Sequence, residues 1–128
     1  MDLDAIRAFC LSFPRAIENL QWGEELCFKV GGKLFAVVGL GSVPQQVTFK
    51  CTPETFAELT EREGIAPAAY AGRYKWATLE DLDVLSDAKL REAISNSYRM
   101  VAAKAKPANR RAKSRKQRPR TAKWTPVI

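Results

Sequence analysis

The chain has 128 residues, 46% of them hydrophobic, a formal net charge of +7 and no histidine. That length suits one domain able to bury a core without disulfide or metal staples, and no apolar run approaches the roughly 20 residues of a membrane-spanning helix. Without imidazole the chain lacks the usual general acid/base at neutral pH and the commonest metal ligand, which weighs against an enzyme and against a metal centre.

The charge is unevenly divided. Residues 1–102 hold 11 Lys and Arg against 14 Asp and Glu, a net of −3, whereas residues 103–128 hold 10 basic residues and no acid, a net of +10. We therefore expect a folded domain over 1–102 and a basic tail over 103–128, disordered when unbound because it has almost nothing to bury. Cys10, Cys27 and Cys51 show no C-x-x-C spacing and are expected as buried free thiols. Met1 leads into Asp2 and Asp4 rather than a basic signal region, so a cytoplasmic location is expected.

From Asp2 to Ser12, Leu3, Ile6, Phe9 and Cys10 recur at helical spacing. Pro14 ends that helix. Arg15 to Leu20 reads as an edge strand. The stretch from Leu26 to Cys51 organises the rest: two runs rich in β-branched and aromatic residues flank Gly31-Gly32, a pair that tolerates the positive φ of a type I′ hairpin turn. Pairing Val30 with Lys33 puts Phe28 opposite Phe35 and Leu26 opposite Val37 on the core face, leaving Cys27, Lys29, Leu34, Ala36 and Val38 on the other. A third strand, with Val47, Phe49 and Cys51 inward, adds Thr48 and Lys50 to that mixed face.

Gly39-Leu40-Gly41 lacks the third glycine and following helix of a nucleotide fingerprint. Thr52, Pro53 and Glu54 begin a second helix with Phe56, Leu59 and Ala57 inward, stopping near Gly64. Ile65 to Gly72 reads as a connector. Arg73 to Leu79 reads as a further strand on which one of Lys75 and Trp76 faces out and the other in. Ser86 caps a last helix whose inward stripe is Leu90, Ala93, Ile94, Tyr98 and Val101.

Two features point to nucleic acid. In the tail, Lys104, Lys106, Arg110, Arg111, Lys113, Arg115, Lys116, Arg118, Arg120 and Lys123 have the density needed to neutralise phosphates and release counterions. On the mixed face, Lys29 and Lys50, with Lys75 or Trp76, would supply phosphate contact and base stacking. A competing use of the Leu34, Ala36 and Val38 stripe is protein or peptide binding, including pairing into a homodimer.

The ordered set Trp22-Gly23, Leu26-Cys27-Phe28-Lys29-Val30-Gly31-Gly32-Lys33, Phe35-Ala36, Phe49-Lys50-Cys51, Pro53-Glu54, Pro67, Tyr70, Lys75-Trp76 and Ser97-Tyr98 resembles the MmcQ/YjbR family. The resemblance implies an α+β two-layer single domain, α-β(3)-α-β(2)-α, its antiparallel sheet carrying the helices on one face. It also implies DNA binding through the sheet and its basic residues, with no catalytic residues and no cofactor. Carried over by position, Lys29, Lys33, Lys50, Lys75 and Trp76 are the family-like polar and aromatic positions. Where many members have an Asn-Lys and a histidine before the tryptophan, this chain has Gly72-Arg73-Tyr74-Lys75, and the tail lies outside the resemblance. The expected protein is a non-enzymatic binder of DNA more than RNA, of low sequence preference, acting mainly through the tail with help from the lysine-bearing face and independent of membranes.

Overall fold

The computed structural model describes residues 1–21, 24–69 and 74–105. In chain order these form α1 (Leu3–Leu11), β1 (Ile17–Gln21), β2 (Glu25–Val30), β3 (Lys33–Gly39), β4 (Gln46–Lys50), α2 (Pro53–Thr60), β5 (Ile65–Pro67), β6 (Trp76–Leu79) and α3 (Asp87–Lys104). The six strands make one antiparallel sheet in the order β1-β2-β3-β4-β6-β5. The arrangement implied by the resemblance holds with one strand added, because the edge strand β1 precedes the hairpin.

Each helix starts on a side chain that accepts an otherwise orphaned backbone N–H. The Asp2 carboxylate accepts from the Ala5 amide at 2.8 Å, and the Thr52 and Ser86 hydroxyls accept from Thr55 and Lys89, each at 3.2 Å. The β2–β3 turn has φ of 58° at Gly31 and 81° at Gly32, the left-handed pair that a type I′ turn requires. All three helices cover the same face. Ile6 and Cys10 of α1, Leu59 of α2, and Leu90, Ile94 and Val101 of α3 join Phe28, Phe35, Val38, Val47, Phe49 and Leu79 of the sheet in one core. Ala57, expected inward, is exposed, and α2 buries Leu59 with Phe56 half-covered.

Three expectations change. First, a bulge interrupts the β2–β3 ladder. Val30 pairs with Lys33 and Lys29 with Leu34, but Phe28 then pairs with Ala36, Cys27 with Val37 and Leu26 with Val38. The extra residue is Phe35, which is fully buried. Ala36 and Val38 therefore lie in the core at 0% exposure, and Val37 takes their place on the other face. A bulge sets two residues of one strand against one of its partner and so shifts the phase beyond it.

Second, Ile65–Pro67 is a strand, not a connector. It lies at the sheet edge, pairing Ile65 with Leu79 and Ala66 with Thr78, and an edge tolerates Pro67. Third, α3 runs to Lys104 and Ala105 is buried, so residues 103–105 belong to the body rather than the tail. Alanine and lysine favour helix, and the chain turns extended at Ala105, two residues ahead of Pro107.

A buried hydroxyl mends the ladder beside the bulge. The β3–β4 register stops at Ala36 opposite Phe49. Beyond it the Lys50 amide donates to Ser97 Oγ at 3.0 Å, and Ser97 Oγ donates to the Phe35 carbonyl at 2.6 Å. Ser97 is fully buried; from α3 it spans the gap that Phe35 opens between two strands. Its neighbour Tyr98 stacks on Phe13, ring centroids 4.4 Å apart, and donates to the Pro14 carbonyl at 2.8 Å. That ties the start of the chain to its last helix.

Candidate nucleic-acid interface

Strand registers sort the uncovered face into three transverse rows. Nearest the β2–β3 turn lies Ile17 opposite Lys29, Lys29 opposite Leu34, and Lys50 opposite Trp76. The middle row runs Asn19, Cys27, Val37, Thr48, Thr78 and Ala66, with the Thr48 and Thr78 hydroxyls hydrogen-bonded at 2.8 Å. The last row is Gln21, Glu25, Gly39 and Gln46. Charge grades along the strands, with lysine at one end and carboxylate at the other.

At the basic end, Lys33 and Lys104 are exposed and Lys50 is half-buried. Burial lowers the Lys50 pKa from the usual lysine value, and the neighbouring charges of Lys104 and Lys33 lower it further. The charges of Lys104 and Lys33 thus bear on Lys50, and an anion bound there would offset them. By composition Lys104 reads with the tail. Only the continuation of α3 brings it beside the sheet.

The choice between Lys75 and Trp76 is settled by the backbone. Ala77 and Leu79 are fully buried, so alternation sends Trp76 and Thr78 to the uncovered face, where Trp76 is half-buried. Lys75 has φ 70°, a left-handed conformation that costs a non-glycine residue about 1–2 kcal/mol. Its side chain instead reaches α2, with Nζ 5.2 Å from the centre of the Phe56 ring. Its carbonyl accepts from the Cys51 amide at 2.8 Å. Of the five expected body positions, Lys29, Lys50 and Trp76 share one row, Lys33 stands at its rim, and Lys75 turns away to the helix side. Arg110, Arg111, Lys113, Arg115, Lys116, Arg118 and Arg120 lie outside the described residues.

The remaining chemistry is quiet. All three cysteines are buried free thiols. Burial pushes the Cys10 thiol up to about 12 and the Cys51 thiol up to about 11, far from the thiolate that reactivity needs. The glycine loop lies against carboxylates. A Cβ on Gly41 would sit 2.0 Å from a Glu24 oxygen, and Gly39 lies near Glu25, surroundings that repel phosphate. Beside Lys50, Cys51, Thr52, Thr55, Ala93 and Asn96 line a cavity of about 10 Å³, room for about one water. Among the described residues no cluster of His, Cys, Asp or Glu could hold a metal, and no helix is long and apolar enough to cross a membrane.

An open antiparallel sheet with three helices on one face and a graded second face defines a two-layer α+β protein. The YjbR family model matches residues 11–100, and the chain belongs to that family. A crystal structure of a Deinococcus radiodurans protein carrying the DUF419 domain is similar at TM-score 0.74 and 26% identity, covering 82% of this chain and 81% of that one. A Pseudomonas syringae protein is similar in fold at TM-score 0.66 and 17% identity, covering 79% of this chain and 99% of that one. No curated protein matches.

Proposed function

We propose that this protein binds nucleic acid without catalysis, DNA before RNA, with little sequence preference, and that it does so in the cytoplasm. The main contact is the basic segment that begins at the end of α3, and the lysine row of the uncovered face assists. The supporting observation is where the chain leaves the body. The charges of Lys104 and Lys33 both act on Lys50, and residues 106–128 then add nine basic residues and no acid. The basic segment follows directly in sequence on Lys104, so one polyanion can contact both it and the lysines of the sheet. Phosphate contacts of this kind supply affinity that is independent of sequence. Buried, unreactive thiols accord with a reducing compartment.

Electrophoretic retardation of a DNA fragment by the full chain and by a chain ended after Ala105 tests this. The full chain should shift DNA at concentrations at least about tenfold lower than the shortened one, given that several phosphate contacts are lost. Equal retardation by the two would remove the tail from the function.

A further inference from the structure

The uncovered face offers more than positive charge. We infer that the row of Lys29, Lys50 and Trp76, with Lys33 and Lys104 at its rim, is a platform for an unpaired nucleotide strand, so that the folded body selects single-stranded over duplex nucleic acid. This rests on the nucleic-acid reading above and names the form of ligand that the sheet takes.

The first ground is shape. Five inter-strand spacings of about 4.8 Å make a six-stranded sheet roughly 24 Å wide, whereas the major groove of DNA, about 12 Å wide, admits a helix or a two-stranded ribbon. Laid flat on an undistorted duplex, the sheet therefore meets it at its phosphates. In that encounter Trp76 has nothing to stack on, because every base is already stacked inside the helix.

The second ground is composition. Trp76 lies directly opposite Lys50 across β4 and β6, and one residue pair further in, the Thr48 and Thr78 hydroxyls bond to each other. One hydroxyl of such a pair keeps its own hydrogen to donate, and both keep acceptor capacity. A ring for stacking, an ammonium beside it for phosphate and a neutral hydroxyl pair for base edges are the parts a sequence-tolerant single-strand binder combines. Lys29 stands in the same row two strand spacings from Lys50, about 10 Å away, which gives the backbone a second charge to follow. At the far end Glu25 and Glu24 repel phosphate. A strand is thereby confined to the lysine row, across the sheet rather than along it.

Burial, and then the like charges of Lys104 and Lys33, disfavour the Lys50 ammonium without a ligand. An anion bound at Lys50 offsets those charges.

The test uses the full chain, an oligothymidylate of about 15 nucleotides and an equally long mixed-sequence duplex, both fluorescently labelled and read by anisotropy at one fixed salt concentration. Trp76→Ala should weaken oligothymidylate binding roughly tenfold, the range expected for loss of one base–aromatic stack, and leave duplex binding within about twofold. Trp76→Phe should restore most of the loss, which a merely structural role for the ring on this open face would not predict if the thermal melts of the two variants coincide. Equal effects of Trp76→Ala on both ligands, or on neither, would overturn the platform while leaving tail-mediated binding intact. Failure of the unaltered chain to bind either oligonucleotide would overturn the platform and the nucleic-acid reading together.

Discussion

The two faces of the sheet are built from the same strands and obey different constraints. On the covered face, Phe28, Phe35, Phe49, Val38, Val47 and Leu79 are all at 0% exposure, and the one buried polar side chain among the described residues, Ser97, uses its hydroxyl both as donor and as acceptor. On the open face, lysine, threonine, tryptophan, glutamine and glutamate, graded from basic to acidic, stand among Ile17, Leu34, Cys27 and Val37. The covered face can be explained by packing alone. On the open face, like charges from Lys33 and Lys104 act on a partly buried Lys50, an arrangement that packing does not require.

Substitutions should separate the faces by size of effect. Phe49→Ala empties a fully buried site and should cost about 3–5 kcal/mol in urea unfolding; Trp76→Ala, one strand away and facing out, should cost well under half of that. A comparable loss from both would mean that the open face is packed against something. Ser97→Ala tests the bridge beside the bulge. It leaves the Lys50 amide and the Phe35 carbonyl without their partner, so about 1–3 kcal/mol should be lost despite almost no change in volume, and amide exchange at Lys50 should accelerate. A loss near zero would mean that the strands close directly without the hydroxyl.

The smallest effect has the opposite sign. Because the folded-state pKa of Lys50 is depressed, the unfolded chain holds the proton more tightly, and stability rises with pH from the folded pKa up to the unfolded value of about 10.4. Lys50→Met removes that penalty. It should gain about 0.5 kcal/mol or less at neutral pH, with the gain fading in melts above about pH 10.4, while weakening binding of nucleic acid. A variant less stable at neutral pH would show that Lys50 is a structural rather than a ligand-facing charge.

Much of this architecture was legible because local chemistry and tertiary structure agree. Asp2, Thr52 and Ser86 cap the helices that their sequence context announces, and Gly31-Gly32 makes the turn that it must. The bulge was not legible. In Leu34-Phe35-Ala36-Val37-Val38 both phases of the strand are apolar, so alternation cannot say whether Ala36 or Val37 turns inward, and only the β2 and β4 partners decide. With Ala36 and Val38 in the core, the apolar stripe of the open face consists of Leu34 and Val37 instead.

Strand β5 was hidden for a related reason. Ile65-Ala66-Pro67 has little intrinsic strand character and is held by its pairing with β6, a tertiary override of local preference. On the open face, alternation and resemblance place Lys29 and Lys50 as the strand registers do, while the choice between Lys75 and Trp76 stays open in the sequence because no pattern reveals a left-handed φ at a lysine. Lys104 was masked by the composition of the residues that follow it, although its position two turns beyond Ser97 on α3 was the available signal.

The most direct measurement is the salt dependence of DNA binding by the full chain and by a chain ended after Ala105. For the full chain log K should fall linearly with log salt, with a slope near −0.9 per phosphate neutralised. A distinctly shallower slope is expected for the shortened chain, which retains only the lysines of the body. Indistinguishable slopes, or a full chain whose affinity ignores salt, would contradict the tail as the main contact.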